Sequence, residues 1–164
     1  MRHAEAEPAP PGHNDFERSL TPQGVLDARA MGGFVKHHCP RLALVLCSSA
    51  KRARETAFNL LEGFRPTPPR LELVPALYLA EAEQVLAQIS SHSPRPLLVI
   101  GHNPGLEELV HGLLAPSDHD GFIGLSTAAL VGLSLTPEEE ALMQPGRSRI
   151  QLQMRPRQLR EDTR

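Results

Sequence analysis

Two short apolar stretches, Leu42-Ala-Leu-Val-Leu-Cys47 and Leu97-Leu-Val-Ile100, decide the fold of this chain. Neither stretch alternates between apolar and polar residues, and continuous apolar runs are typical of strands that are buried on both faces. Helical patterns precede, separate and follow them, and helices that alternate with strands indicate an α/β sheet. The sequence therefore predicts a three-layer α/β/α fold, with a mainly parallel central sheet and helices on both faces.

The other elements follow from helix caps and periodicity. Thr21 is an N-cap residue type and Pro22 suits the first helical position, so a helix is predicted to begin there. Asn103 and Pro104 form the same pair after the second apolar stretch. A further helix is predicted over 82–89, and further strands are predicted over 71–74, 128–135 and 150–154.

The composition limits the class of protein. The chain has 164 residues, of which 40% are hydrophobic, and a formal net charge of -2, which suits one domain with its own core. We expect that domain to span residues 1–154 and a basic, disordered tail to span 155–164. The small net charge predicts no attraction to nucleic acid or to a membrane surface. The two cysteines do not suggest a disulfide scaffold, and no apolar run resembles a signal peptide or is long enough to span a membrane. These features favour a cytoplasmic location.

Polar residues follow both apolar stretches, at the edge where α/β sheets bind ligands. Lys51, Arg52 and Arg54 crowd the start of a helix, where the helix dipole disfavours cations, and a bound anion would explain them. From this stretch alone, the alternative that these side chains only extend into water stays open. His102 is predicted to face the same crevice, either as a functional group or as a packed side chain.

Other phosphate-handling motifs are absent from the sequence. There is no P-loop and no G-x-G-x-x-G motif, and Cys47 lacks the spacing to Arg52 or Arg54 that a cysteine phosphatase loop needs. The histidines lack zinc-site spacing, so neither a metal nor another cofactor is expected. A histidine nucleophile is the hypothesis that these exclusions leave.

Three segments, in order, resemble the histidine phosphatase (phosphoglycerate mutase-like) superfamily. Arg2-His3-Ala4-Glu5 is similar to the Arg-His-Gly/Ala signature of that family. Residues 48–56, Ser-Ser-Ala-Lys-Arg-Ala-Arg-Glu-Thr, are similar to its Ser-Pro-x-x-Arg-Ala-x-x-Thr segment. Residues 99–104, Val-Ile-Gly-His-Asn-Pro, match its Val-x-Gly-His-Asn-Pro segment. The resemblance covers about residues 1–135, and the short chain is most like the SixA-type phosphohistidine phosphatases, so a phosphoglycerate mutase-like fold is implied.

The resemblance also implies roles for individual side chains. His3 is the implied nucleophile, and Arg2, Arg52 and a protonated His102 form the implied phosphate pocket. These roles suit the chemistry, because a neutral imidazole can attack phosphorus while fixed cations stabilise the charge on the equatorial oxygens. No metal is needed if these cations neutralise that charge.

The resemblance leaves two features less well defined. Glu81 is the implied general acid, and Glu5 and Glu83 are alternative carboxylates. The family has an apolar strand directly before its Arg-His pair, whereas this sequence begins at Met1. We therefore expect the first strand of the sheet to be largely missing.

Three functional hypotheses follow from the resemblance. The first is a metal-independent phosphohistidine phosphatase that acts on a phosphorylated protein through a phosphohistidine intermediate. The second is a phosphatase for small phosphomonoesters. The third is an inactive family member that binds phosphate, because of the shortened first strand. The sequence predicts no nucleic acid or membrane partner, and it leaves the oligomeric state open.

Overall fold

A parallel sheet flanked by helices forms the centre of the molecule. The computed structural model describes residues 1–9, 12, 14–134 and 146–161. The helices are α1 (Pro22–His38), α2 (Lys51–Leu61), α3 (Ala82–Ser90), α4 (Gly105–Leu113) and α5 (Pro156–Glu161). The strands are β1 (Leu44–Ser48), β2 (Arg70–Val74), β3 (Leu97–Ile100), β4 (Leu130–Ser134) and β5 (Arg149–Met154). Among the described helices, none is both long and apolar enough to cross a membrane.

The sheet has helices packed on each face, which confirms the predicted three-layer fold. Its three strands are all parallel, in the order β2-β1-β3, and β4 and β5 form a separate antiparallel pair. On β1, Val45 and Cys47 belong to the same core cluster as the buried side chains of α1 and α2. Leu44 and Leu46 point the other way, into the cluster formed with α3 and α4.

The two predicted helix starts differ in outcome. Thr21 caps α1 as predicted, because its hydroxyl oxygen accepts the Gly24 N–H at 2.9 Å. The prediction that Asn103 caps α4 is wrong, since the helix begins only at Gly105. The Asn103 side-chain amide instead donates to the Leu125 carbonyl at 2.9 Å, and it thereby ties the loop before α4 to the loop before β4.

A short helix, α5, occupies part of the tail that was expected to be disordered. Pro156 at its start is buried, and Arg160 forms an ion pair with Asp27 of α1. This contact joins residues far apart in sequence, so local composition could not indicate it. Residues 162–164 of the predicted tail, and Leu135 at the end of the predicted strand 128–135, lie outside the described residues.

The N-terminus lies between β3 and β4 at the carboxyl end of the sheet. The ammonium group of Met1 donates to the Val99 carbonyl at 2.9 Å, and the Arg2 N–H donates to the Ala129 carbonyl at 3.2 Å. An isolated parallel bridge joins Arg2 to Gly101. This bridge agrees with the very short first strand that we expected, and among the described residues no longer strand lies between β3 and β4.

A cavity of about 470 Å³ continues from Met1 along the space between β3 and β4. Leu97, Leu98 and Val99 line one side and residues 130–134 line the other, so its walls are mainly apolar. The Val99 carbonyl faces the N-terminus, and in a parallel ladder alternate residues direct their backbone groups to the same side. The backbone of Leu97 is therefore expected to face the cavity as well. A strand in line with Met1 would find both apolar walls and hydrogen-bonding groups there.

We expect that adding about five apolar, β-branched residues before Met1 would raise the melting temperature. A strand rises roughly 3.3 Å per residue, and the added strand would fill this cavity. The extension would pair with β3 and would replace a buried ammonium, whose pKa burial lowers to about 5, by a neutral amide. Each new hydrogen bond contributes roughly 0.5–1.5 kcal/mol, and each kcal/mol raises the melting temperature of a protein of this size by about 2–4 °C.

Thermal unfolding measured by circular dichroism provides the check. The matched control is an extension of equal length made of Gly and Ser, which cannot fill the apolar cavity. Equal melting temperatures for the apolar and the Gly/Ser extensions would show that this space does not accept a strand.

Candidate active site

Three segments meet at the carboxyl end of the sheet. His3 follows the N-terminal bridge to β3, Arg52 lies in the first turn of α2 after β1, and His102 follows the end of β3. The His3 and His102 ring centroids are 5.1 Å apart. All three side chains are buried, with exposed fractions of 8%, 3% and 3%. The structure thus brings together residues that are about 50 positions apart in the chain.

His3 is held in one tautomer by its backbone neighbour. Its Nδ1 lies 2.7 Å from the Ala4 carbonyl oxygen, which can only accept, so the proton is on Nδ1. Its Nε2 accepts a hydrogen bond from Nε of Arg52 at 3.1 Å. Burial is the main cause that lowers the pKa of His3 to about 4, and the charge of Arg52 lowers it further. At neutral pH, His3 is therefore uncharged and its lone pair is on Nε2.

His102 is neutral as well, and its protonated form in a phosphate-bound pocket stays a prediction. Its Nε2 lies 2.8 Å from the Ser48 hydroxyl, and its Nδ1 lies 3.4 Å from Nη2 of Arg52. Burial is the main cause that lowers the pKa of His102 to about 3, followed by the charge that His3 carries once it is protonated in acid and by the charge of Arg52. The negative charge of a phosphate would act in the opposite direction and favour a proton on Nδ1.

Arg52 has two edges with different partners. Its Nη1 donates to the backbone carbonyl of Asp15 at 2.7 Å, and its Nη2 donates to the Asp15 carboxylate at 3.0 Å. The ring of Tyr78 lies beside it, with the guanidinium carbon 5.9 Å from the ring centroid. Neither Asp15 nor Tyr78 is among the site residues predicted from the sequence. Asp15 lies in a loop without periodicity, and the one available signal was that Tyr78 is the only tyrosine in the chain.

Arg2 lies beside the two histidines. Its positive charge contributes to the lowered pKa values of His3 and His102. Nη1 of Arg2 donates to the Leu125 carbonyl at 3.3 Å. Its Nε is buried and finds no acceptor among the residues that the structure describes. A buried donor without a partner is costly in a folded protein, and a ligand oxygen could satisfy it.

The candidate general acids lie on the surface. Glu81 is exposed at the N-terminus of α3, where its N–H donates to the Gln84 side chain at 2.9 Å. Glu5 accepts from the Thr21 hydroxyl at 3.3 Å, and Glu83 is exposed. Within the described ranges, none of the three carboxylates forms a hydrogen bond or ion pair with His3, Arg52 or His102. The assignment of Glu81 as the acid stays a prediction.

Only one of the three cations at the start of α2 enters the cluster. Arg54 lies two positions beyond Arg52, which places it about 200° around the helix. In the described part of the chain, neither Lys51 nor Arg54 has a hydrogen bond to His3 or His102. The same ranges contain no group of three His, Cys, Asp or Glu side chains that could hold a metal ion.

Comparisons with known proteins show the family of this chain. The family model for the histidine phosphatase superfamily (branch 1) matches residues 1–78, which include His3 and Arg52. An uncharacterised protein of Mycobacterium tuberculosis is 34% identical over 125 residues, which is 75% of this chain and 75% of that protein. The chain belongs to the histidine phosphatase superfamily.

Solved structures with the same fold are similar over nearly the whole chain. A protein of Nakamurella multipartitia, assigned as the phosphohistidine phosphatase SixA, has a TM-score of 0.79 and 28% identity, covering 95% of this chain and 93% of its own. The protein histidine phosphatase SixA in complex with tungstate has a TM-score of 0.77 and 25% identity, covering 97% and 96%.

Proposed function

We propose that this protein is a phosphohistidine phosphatase, which removes the phosphoryl group from a histidine of a phosphorylated protein. The observation that carries the proposal is the position of the neutral Nε2 of His3. This nitrogen is buried and lies 3.1 Å from Nε of Arg52, and the centroid of the His3 ring is 5.1 Å from that of His102. The similarity to two SixA structures supports phosphohistidine as the substrate class.

In the first step, the lone pair on Nε2 of His3 attacks phosphorus, and the bond between phosphorus and the leaving nitrogen breaks. The leaving imidazole keeps that electron pair and takes a proton from the solvent or from a nearby acid. In the second step, water attacks the phosphorylated His3, which releases inorganic phosphate and restores the lone pair on Nε2. Splitting the transfer in two lets one fixed nitrogen serve both steps.

The cations around His3 supply the charge that the transition state needs. The Nε and Nη2 edge of Arg52 faces both histidines, so it can donate to two phosphoryl oxygens at once. The buried Nε of Arg2 is a further donor. His102 becomes a donor when phosphate raises its pKa and Nδ1 takes up a proton. Such preorganised donors in a buried site stabilise the transition state strongly.

The test compares two substrates in the presence of EDTA: a phosphohistidine-bearing protein domain and para-nitrophenyl phosphate. We expect a higher kcat/KM for the phosphohistidine protein and no loss of activity to EDTA. Vanadate should inhibit, because it imitates the five-coordinate phosphoryl group. The matched blank is the His3→Ala variant, which controls for spontaneous hydrolysis of phosphohistidine.

The other outcomes separate the alternatives. A higher kcat/KM for small phosphomonoesters would replace the proposal by the second hypothesis. Turnover of neither substrate, together with measurable phosphate binding, would indicate the inactive family member. Activity that EDTA removes and zinc or magnesium restores would contradict the mechanism through His3.

A further inference from the structure

One edge of the Arg52 guanidinium is held by Asp15, and the other edge points at the two histidines. The Nη1 and Nη2 edge contacts Asp15 twice, through the backbone carbonyl at 2.7 Å and the carboxylate at 3.0 Å. The Nε and Nη2 edge lies 3.1 Å from Nε2 of His3 and 3.4 Å from Nδ1 of His102. Because a guanidinium is planar and rigid, fixing one edge sets the direction of the other.

Asp15 is itself held from two sides. The Tyr78 hydroxyl donates to Oδ2 at 2.9 Å, and Nη1 of Arg18 donates to Oδ1 at 3.0 Å. The Asn14 side chain caps the short 3-10 turn Asp15–Glu17 by accepting the Phe16 N–H at 3.0 Å. The carboxylate is therefore a fixed support for Arg52.

Burial makes this support necessary. The Arg52 side chain is only 3% exposed, whereas that of Asp15 is 43% exposed, so the cation is the desolvated partner. A buried cation needs both a counter-charge and satisfied N–H groups. In the described structure, the carboxylate of Asp15 is the anionic group that contacts the guanidinium.

We propose that Asp15 is a positioning residue, which acts through Arg52 by aiming the Nε and Nη2 edge of the guanidinium at the phosphoryl group on His3. This inference rests on the proposed function and deepens it. The opposite role, a carboxylate that competes with phosphate for Arg52, is disfavoured by geometry, because Asp15 holds the edge that points away from His3.

The direct test is the kinetics of Asp15→Asn and Asp15→Ala on para-nitrophenyl phosphate. We expect kcat to fall by up to about 100-fold in Asp15→Ala, because small displacements of a charge donor cost that much. The kcat of Asp15→Asn should fall less, since the amide oxygen of asparagine can still accept a hydrogen bond from Nη2 of Arg52. The control is Glu17→Ala, which removes an exposed carboxylate from the same turn and should leave kcat unchanged. A fall in KM and a rise in kcat for Asp15→Asn would identify a competitor instead.

A double-mutant cycle separates positioning from an independent role. If Asp15 acts through Arg52, adding Asp15→Ala to Arg52→Ala should change kcat/KM by no more than about twofold, because coupled residues are not additive. A full additional loss would identify Asp15 as a group with its own contact to substrate, and it would overturn the proposal.

Phosphate binding keeps this inference testable apart from turnover. By calorimetry with inorganic phosphate, we expect Asp15→Ala to bind more weakly than the unmodified protein and Glu17→Ala to bind equally well. This binding result does not depend on turnover. If the unmodified protein hydrolysed none of the substrates, the proposed function would be wrong, but the positioning role of Asp15 could still be tested by phosphate binding. Unchanged phosphate binding in a folded Asp15→Ala variant would overturn the positioning role.

Discussion

Replacing His3 by alanine is expected to abolish both turnover and covalent labelling by a radioactive phosphoryl donor. His3 is the buried imidazole whose Nδ1 is tied to the Ala4 carbonyl and whose Nε2 faces Arg52. Because its pKa is lowered to about 4, His3 should stay neutral in the free protein from neutral pH down to about that value, and labelling should persist over this range. The label should be stable in base and labile in acid, as a phosphoramidate is. Rapid-quench labelling followed by peptide mapping measures both the amount and the position of the label.

The matched control for this variant is His37→Ala, which removes an exposed histidine near the end of α1. It should retain both turnover and label. A His3→Ala variant that still turns over substrate would refute the nucleophile assignment. Label at His102 would mean that the two histidines have exchanged roles. Loss of activity in His3→Ala without any label in the unmodified protein would favour direct attack by water.

The Arg52→Ala variant is expected to lose roughly 2–4 kcal/mol of transition-state stabilisation, which corresponds to about 30- to 1000-fold in kcat/KM. Arg52 is a buried guanidinium that contacts both histidines. Water that enters the site in the alanine variant would be uncharged and could not replace this cation. Arg52→Lys keeps a cation but loses the planar fork, and it should recover only part of the activity. Steady-state kinetics on para-nitrophenyl phosphate measure the effect, and melting temperatures confirm that each variant is folded.

Arg54→Ala is the control for Arg52→Ala, because it removes the same type of side chain from the same helix. Arg54 lies about 200° around α2 from Arg52, and its removal should change kcat/KM little. Equal losses at both positions would indicate a general electrostatic effect of the helix start rather than a specific phosphate contact. A large loss at Arg54 alone would place the phosphate on the other side of α2.

The sequence was most informative where a local pattern has a local cause. Thr21 caps α1 because a short hydroxyl side chain can reach an N–H three residues ahead. Residues 97–100 form a strand, as their continuous apolar run predicts, because a strand that is buried on both faces needs apolar side chains on both. The prediction for Asn103 failed because its amide has a partner, the Leu125 carbonyl, that is 22 positions away. Residue type alone does not distinguish a local partner from a distant one.

The sequence by itself determined the fold class, the family and the three segments that carry His3, Arg52 and His102. Periodicity records which faces are buried, and the order of the three segments is specific enough to identify the superfamily. Only the tertiary structure decided the protonation states, since the neutral forms of both histidines follow from burial and from charges on other elements. It also decided that Asp15 holds Arg52, because that contact spans 37 positions and depends on how the loop folds over α2. Contacts of this length follow from the packing of the whole domain, so no local pattern can encode them.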